Sequence, residues 1–318
     1  MWDHISPKDT IELNGTLVLI GHSLWTFLDE MRSQKRFRTY WIDAICIDQS
    51  NVQERNHQVQ LMKNIYSKAE SVSIWLGPAD EGSFCIEAME ILRDMENWLD
   101  CNGFTLFVRG ESGIEQEIIL ALCQNKYWER MWIFQEVVLA CEATIYFGPW
   151  NVRLDVLRSM ILNMKYSGDG NIPWTGYDET ERVRLSLVSN LLLYRSLGLG
   201  RSVLHLAMWY CRDRKATYVR DKIYGLLGVM GEDFPGLEVD YRIKLMDLWT
   251  KVFAYLCRRT PEQLTPLIIP AEELGKMVAE ALDLEISDET IIEFIEAQYA
   301  LYGKPSELSD TEGGDSRQ

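Results

Sequence analysis

The sequence has little from which to build a metal centre or a disulfide framework. Histidine occurs only as His4, His22, His57 and His205, well dispersed along 318 residues. The seven cysteines (Cys46, Cys85, Cys101, Cys123, Cys141, Cys211 and Cys257) are scattered, and no two share a Cys-x-x-Cys spacing. An odd, dispersed set suits free thiols in a reducing compartment and predicts no structural zinc. No apolar run approaches the roughly 20 residues that a bilayer needs. No N-terminal secretory pattern is present either, so the expectation is a cytoplasmic protein that meets no membrane. Basic charge is short as well: 32 Lys and Arg stand against 48 Asp and Glu, a formal net charge of -16. Phosphate backbones are bound by Lys and Arg, so a nucleic-acid partner is not expected. The small basic stretches (Lys35, Arg36 and Arg38; Arg212, Arg214 and Lys215) read as solvated loops. A glycine-rich phosphate loop is missing, which disfavours a nucleotide kinase or a dehydrogenase.

What the chain does have is apolar and aromatic mass. Hydrophobic residues make up 47% of it and 11 residues are Trp, enough for a dense core without disulfides. Asn14-Gly15 between apolar-rich runs predicts a β-hairpin over 11–20. Leu24, Phe27, Leu28 and Met31 recur at helical spacing and predict a helix over 22–33. Residues 40–47 (Tyr-Trp-Ile-Asp-Ala-Ile-Cys-Ile) are nearly all apolar and predict a strand buried on both faces. Ser50 with Gln53 forms a capping-box pattern ahead of an amphipathic helix over 51–69. Ser-Val-Ser-Ile-Trp-Leu at 71–76 predicts the next strand. Together these segments predict a parallel βαβ unit with a right-handed crossover.

Further on, 84–124 reads as helical with an interruption near 101–113. Residues 127–141 read as a helix apolar nearly all round, and therefore buried. Ala143 to Phe147 predict a strand stopped by Gly148-Pro149. Residues 167–179 read as a polar linker. Helices are predicted at 180–197, 201–211, 219–229 and 242–258, with two acidic ones in 261–302, and disorder over 303–318. The division that follows is an α/β core over 1–165, a helical extension over 166–260, an acidic helical segment over 261–302 and a tail over 303–318.

Three stretches resemble the fungal heterokaryon-incompatibility (HET) domain family. The first is Tyr40-Trp41-Ile42-Asp43-Ala44-Ile45-Cys46-Ile47-Asp48-Gln49, followed by Glu54-Arg55, Gln58-Val59, Met62, Ile65-Tyr66, Ala69, Val72 and Trp75-Leu76-Gly77. The second is Tyr127-Trp128, Arg130-Met131-Trp132, Gln135-Glu136 and Ala140. The third is Arg220-Asp221-Lys222-Ile223-Tyr224-Gly225-Leu226-Leu227-Gly228 with Val239-Asp240-Tyr241. They cover roughly residues 10–260, and the first is the most specific. The resemblance implies a cytosolic module that triggers cell death on nonself recognition, through protein partners or self-association. HET domains are similar at a distance to Toll/interleukin receptor (TIR) domains. That comparison implies a small parallel sheet flanked by helices, and NAD+ as a possible substrate, with Glu136 at the position of a catalytic glutamate. The sequence departs from the family at its start. The usual first strand, Ala-Leu-Ser-Tyr, is not seen before Met1-Trp2-Asp3, which implies an unpaired row of backbone groups on a neighbouring strand.

Each candidate residue has a second, plainer reading. Glu136 sits on an apolar helix, where a carboxylate is costly unless it is paired or functional. It reads either as a charge stabiliser near an oxocarbenium-like centre or as the partner of Arg130 or Arg55. Asp48 and Gln49 lie at a strand end, where α/β folds bind ligands; Asp48 reads equally as a cap on the following helix. Asp43 is a ligand contact or a buried hydrogen-bonding partner. Arg55 and Arg130 are anion clamps or members of ion pairs. Trp75, Trp128 and Trp132 stack on a base or fill the core. Cys46 is a nucleophile or an inert buried thiol. Arg220 and Asp221 are expected to staple the helical region to the core. The functions left open are an interaction module for incompatibility signalling, a TIR-like NAD+ glycohydrolase using Glu136, and an inactive truncated paralogue.

Overall fold

A computed structural model describes residues 8–35, 38–79, 84–102, 120–166, 179–198, 204–230, 237–258 and 269–303. The expected interruption after residue 102, the linker at 167–178 and the tail from 304 lie outside the described residues.

The chain opens with the predicted hairpin, β1 (Lys8–Leu13) and β2 (Thr16–Gly21), paired antiparallel from Lys8↔Gly21 to Leu13↔Thr16. Its turn needs two successive positive φ angles, and Asn14 (51°) and Gly15 (78°) supply them. That is the hairpin turn whose twist matches the strands. Ile11, Val18 and Ile20 face inward, while Leu17 and Leu19 on the other face are exposed. Helix α1 (His22–Ser33) follows and buries Leu24, Phe27 and Met31, one helical stripe.

Residues 40–47 correct the strand expectation. The chain is extended only through Ile42, and Asp43–Cys46 is a single helical turn, α2. None of these residues pairs in a sheet. The Asp43 carboxylate accepts from the backbone N of Ala44 at 2.8 Å, which favours the turn. The segment is apolar because it plugs a seam. Tyr40, Ile42, Ala44 and Ile45 pack on a small cluster formed by Ile20, Leu24, Phe27, Met31, Trp75 and Tyr146. Trp41 points the other way, edge-on to Tyr66 at 5.7 Å, into the main core. A strand buried on both faces and a plug between two cores have the same composition.

Helix α3 (Val52–Lys68) begins at Asn51 rather than Ser50: the Asn51 side chain accepts from the backbone N of Gln53 and of Glu54. Ser50 serves Asp48 instead, donating through its backbone N (3.0 Å) and hydroxyl (2.6 Å). Strand β3 (Val72–Trp75) then pairs in parallel with β4 (Ala143–Phe147), in register Val72↔Ala143 to Trp75↔Tyr146. The parallel pair therefore exists, but its partner is 143–147 and not 40–47. Gly148-Pro149 turn the chain rather than end the sheet, and β5 (Trp150–Arg153) returns antiparallel to β4. The order is β3-β4-β5, so the outer side of β3 is an edge. Val72, Ile74, Ala143 and Ile145 face the main core; Trp75 and Tyr146 face the small cluster.

Helix α4 (Phe84–Asn102) lies across β5 and β4. The expected long helix at 127–141 is broken. Lys126–Glu129 is a 3-10 turn capped by Asn125, and only α5 (Ile133–Leu139) is α-helical. The break has a cause in the backbone. Lys215 N donates to the carbonyl of Glu129 (2.6 Å), and Met131 N donates to the carbonyl of Lys215 (2.8 Å). This short parallel bridge holds 129–131 out of helical geometry. The far end of α5 is closed by Arg195, which donates to the carbonyls of Val137 (2.5 Å), Ala140 (2.7 Å) and Cys141 (3.2 Å).

Helix α6 (Leu154–Tyr166) was not expected; the remaining helices match the expected pattern: α7 (Glu179–Ser196), α8 (Leu204–Cys211), α9 (Asp221–Leu227), α10 (Leu245–Cys257), α11 (Ala271–Ala281) and α12 (Asp288–Tyr302). One continuous core runs from Val59 to Ile295. The last two helices are part of it: Trp249 and Phe253 meet Phe294 at 5.2 Å each, and Trp249 Nε1 donates to the carbonyl of Gly275. No described helix is long and apolar enough to cross a membrane.

Candidate functional site

A cavity of about 990 Å³ opens along the edge of β3. Its walls are the first turn of α1, residues 38–43, the C-terminal end of α3, β3, and the turn at 125–130. α5 contributes Glu136 and the bridge residue Lys215 lies at the margin. Two structural units thus share it, with the hairpin, α1 and the 38–43 segment on one side and the main core on the other.

The chemistry concentrates around Glu136. Burial pushes its carboxyl above the usual glutamate range, and the negative Asp43 adds to this. The Arg130 guanidinium and a hydrogen bond from Tyr66 pull in the opposite direction and do not restore it. Burial works against the charge on Arg130, but Glu136, Tyr127 and Asp43 outweigh it, so its pKa is raised. Burial, followed by the charge of Glu136, drives the phenols of Tyr66 and Tyr127 far upward. Both tyrosines therefore remain O–H donors at any physiological pH. A carboxyl with a raised pKa beside a guanidinium, on the wall of a cavity, can take part in proton transfer or stabilise a developing positive charge.

Of the residues singled out in the sequence, the fold brings Asp43, Arg130 and Glu136 together on this cavity. Asp48 and Gln49 are exposed and do not line it. The Asp48 carboxyl is held below its usual range by the Ser50 hydroxyl and backbone, within a local turn. Arg55 is clamped between two rings, 4.6 Å from Tyr218 and 3.9 Å from Tyr241, away from the cavity. Trp132 donates from Nε1 to Asp221 (3.1 Å), and Tyr241 donates to the other oxygen of Asp221 (2.5 Å). Burial raises the Asp221 carboxyl despite these donors. Arg220 reaches the carbonyl of Ile243. Asp221 thus ties α9 to Trp132 of the core, as the sequence suggested, whereas Arg220 reaches Ile243 within the helical region. Cys46 is exposed, which removes the buried-thiol reading, and it lies off the cavity. Trp128 is core; Trp75 serves both the small cluster and the cavity wall.

Tyr66 and Tyr127 were not foreseen. In sequence both read as apolar members of helical patterns, and nothing local marks a phenol that will meet a glutamate 70 residues or 9 residues away. Glu129 was missed too. It accepts from Arg184 (2.7 Å) and Lys215 (2.7 Å), a bifurcated ion pair at the cavity's margin. Among the described residues no cluster of His, Cys, Asp or Glu is arranged to hold a metal ion.

The family model of the heterokaryon incompatibility protein (HET) matches residues 1–136. That span holds the candidate catalytic and ligand-binding residues, from Asp43 to Glu136, but not Arg220 and Asp221. The chain is also similar to heterokaryon incompatibility protein 6, OR allele, of Neurospora crassa, at 27% identity over 245 residues. The match covers 63% of this chain but 36% of that relative. No solved structure matches the chain.

Proposed function

We propose that this chain is a fungal heterokaryon-incompatibility protein, a cytoplasmic module of nonself recognition whose engagement by protein partners or by its own copies triggers cell death. The observation that carries this reading is a coincidence of position. The segment matched by the HET model, residues 1–136, supplies nearly every wall of the cavity and the charged trio Asp43, Arg130 and Glu136. The output then depends on what the cavity binds. The test is conditional expression of the chain in a filamentous fungal host. Growth arrest on induction is expected; normal growth at high protein level overturns the proposal.

One observation favours a second reading, hydrolysis of NAD+ at the nicotinamide–ribose bond. Glu136 lines the cavity, and its carboxyl is accompanied there by Arg130. In this scheme the carboxylate stabilises the positive charge that develops on the ribose as nicotinamide leaves, the role carboxylates play in glycoside hydrolysis. Incubation of concentrated, folded protein with NAD+ and measurement of free nicotinamide tests it. Release that disappears in Glu136→Gln supports it, and no release removes it.

A further inference from the structure

We propose that the outer edge of β3 is a docking site for an extended peptide of a partner protein. The peptide pairs its main chain with Ser73 and Trp75 and places a basic side chain beside Asp43 and Glu136. This rests on the reading that protein partners engage the cavity, and it names what such a partner presents.

The edge follows from the pairing register. Val72 N donates to the carbonyl of Glu142 (2.9 Å), and Leu76 N donates to that of Tyr146 (2.9 Å). Alternate residues of a strand turn their N–H and C=O to opposite edges. Val72, Ile74 and Leu76 therefore face β4, and Ser73 and Trp75 face away from it. Among the described residues nothing bonds to the main chain of Ser73 or Trp75. Both residues line the cavity. Trp75 adds a side-chain donor, since its buried Nε1 has no acceptor among the described residues. A row of unpaired main-chain groups is a template for another strand.

The walls select the side chains. A strand added beside β3 alternates its side chains across the same two faces. On the Trp75 face stand Leu24 and Phe27, with the Phe27 ring 5.7 Å from the Trp75 ring. Apolar side chains fit there. On the main-core face stand Tyr66 and Tyr127, with Glu136 of α5. Here Asp43 and Glu136 set two carboxylates against the one guanidinium of Arg130. At the margin Lys215 and Glu129 already pair with each other at 2.7 Å. Arg38, Lys68, Glu70 and Lys126 are exposed, where water and salt screen them. A lysine or arginine balances the inner carboxylates, and the net charge of -16 draws a basic peptide towards the chain.

The test uses the full chain, 15N-labelled, with the blocked peptide Val-Lys-Val-Lys-Val. At saturation the amide exchange of Ser73 and Trp75 is expected to slow by about tenfold or more. No saturable binding, or binding that leaves these two amides unchanged, overturns the proposal. The same peptide N-methylated at every residue keeps its side chains and charge but loses its main-chain donors. It should not bind, and equal binding overturns main-chain pairing. Val-Glu-Val-Glu-Val should bind about tenfold more weakly or worse, and equal binding overturns the charge assignment. Ser73→Pro removes the outward N–H without touching a bond to β4, as an edge strand tolerates. It should weaken binding of the lysine peptide, and the methylated peptide gives the same test if that variant does not fold. Slowing that grows with protein concentration in the absence of peptide assigns the edge to a second copy and overturns the peptide as occupant. Peptide binding without growth arrest in the fungal host contradicts the incompatibility reading and leaves the docking site standing. Arrest without peptide binding does the reverse.

Discussion

At the scale of single residues, charge at this site is governed by how each group is compensated. Glu136 and Glu129 lie seven residues apart in sequence, and their carboxyls are shifted in opposite directions. Burial raises both, but Glu129 accepts hydrogen bonds from Lys215 and Arg184, which more than offset the desolvation and leave it below the usual glutamate range. Glu136 has Arg130 and Tyr66 but also the negative Asp43, and stays above it. The two signs give opposite pH dependences. Glu129 binds protons less readily when folded, so its contribution to stability is present above the unfolded value and is lost as pH falls through the lowered one. Glu129→Gln is therefore expected to cost about 2 kcal/mol at neutral pH. The gap from wild type should close below about pH 4 in urea unfolding, and a gap that stays constant to pH 3 contradicts the role. Arg214 is a different case. It is 1% exposed and donates to the carbonyls of Trp128 (2.6 Å) and Leu187 (2.7 Å). Arg214→Leu orphans these carbonyls and is expected to cost about 2–5 kcal/mol, visible as a lower Tm. An unchanged Tm would mean that these hydrogen bonds are replaceable. At this scale the sequence singled out Asp43, Arg130 and Glu136, because a charge amid apolar residues is visible, but it read Arg214 as part of a solvated loop, where the structure buries it, and passed over Glu129. It could not show which would meet. Asp43 and Asp48 lie five residues apart on one apolar run, yet only Asp43 lines the cavity.

At the scale of elements, periodicity was readable wherever a segment has one buried face. The hairpin, α1, α3, β3, β4 and the helices α7 to α10 stand within a few residues of their expected bounds. It failed where a segment serves two cores or answers to a distant backbone. Residues 40–45 pack mostly on the small cluster while Trp41 enters the main core, so the apolarity of the run resembled that of a buried strand. The helix expected at 127–141 is cut by the bridge to Lys215, 84 or more residues away in sequence, and no local pattern reports a partner at that distance. The turn at Gly148 is a third example, since glycine and proline mark a stop and a reversal alike. Gly148 has φ of +52°, and a Cβ there would stand 2.6 Å from Ala79 Cβ and 2.8 Å from the Ala79 backbone N. Gly148→Ala is expected to destabilise by about 2–4 kcal/mol, the sum of a left-handed backbone and an overpacked contact. Chemical denaturation reads this directly, and a loss under about 0.5 kcal/mol would show that the β4–β5 turn is free to adjust.

At the scale of the whole molecule, two clusters of unequal size meet along the cavity. The larger is continuous from α3 to α12 and includes the acidic helices at the end of the described chain. Removing residues from 269 onward strips Phe294 and Gly275 from Trp249 and Phe253. Each uncovered aromatic costs about 1.5–3 kcal/mol, so the shortened chain is expected to be protease-sensitive and poorly soluble. A shortened chain with the Tm of the full one would show that α11 and α12 are dispensable to the fold. The smaller cluster touches the sheet through Trp75 and Tyr146. It holds the 38–43 segment, and with it Asp43 and Trp41, over Glu136. Composition could exclude membranes and metals as expectations and suggest a large core. The meeting of the two units is a tertiary event, and a linear pattern carries no record of it.

The central claim is that the cavity around Glu136, and not the exposed turn at Asp48, is where the protein works. The most direct measurement compares growth of a filamentous host expressing wild type, Glu136→Gln and Asp48→Asn at matched protein levels. Arrest by wild type and Asp48→Asn with normal growth for Glu136→Gln is the predicted result. Equal arrest by all three would contradict the account.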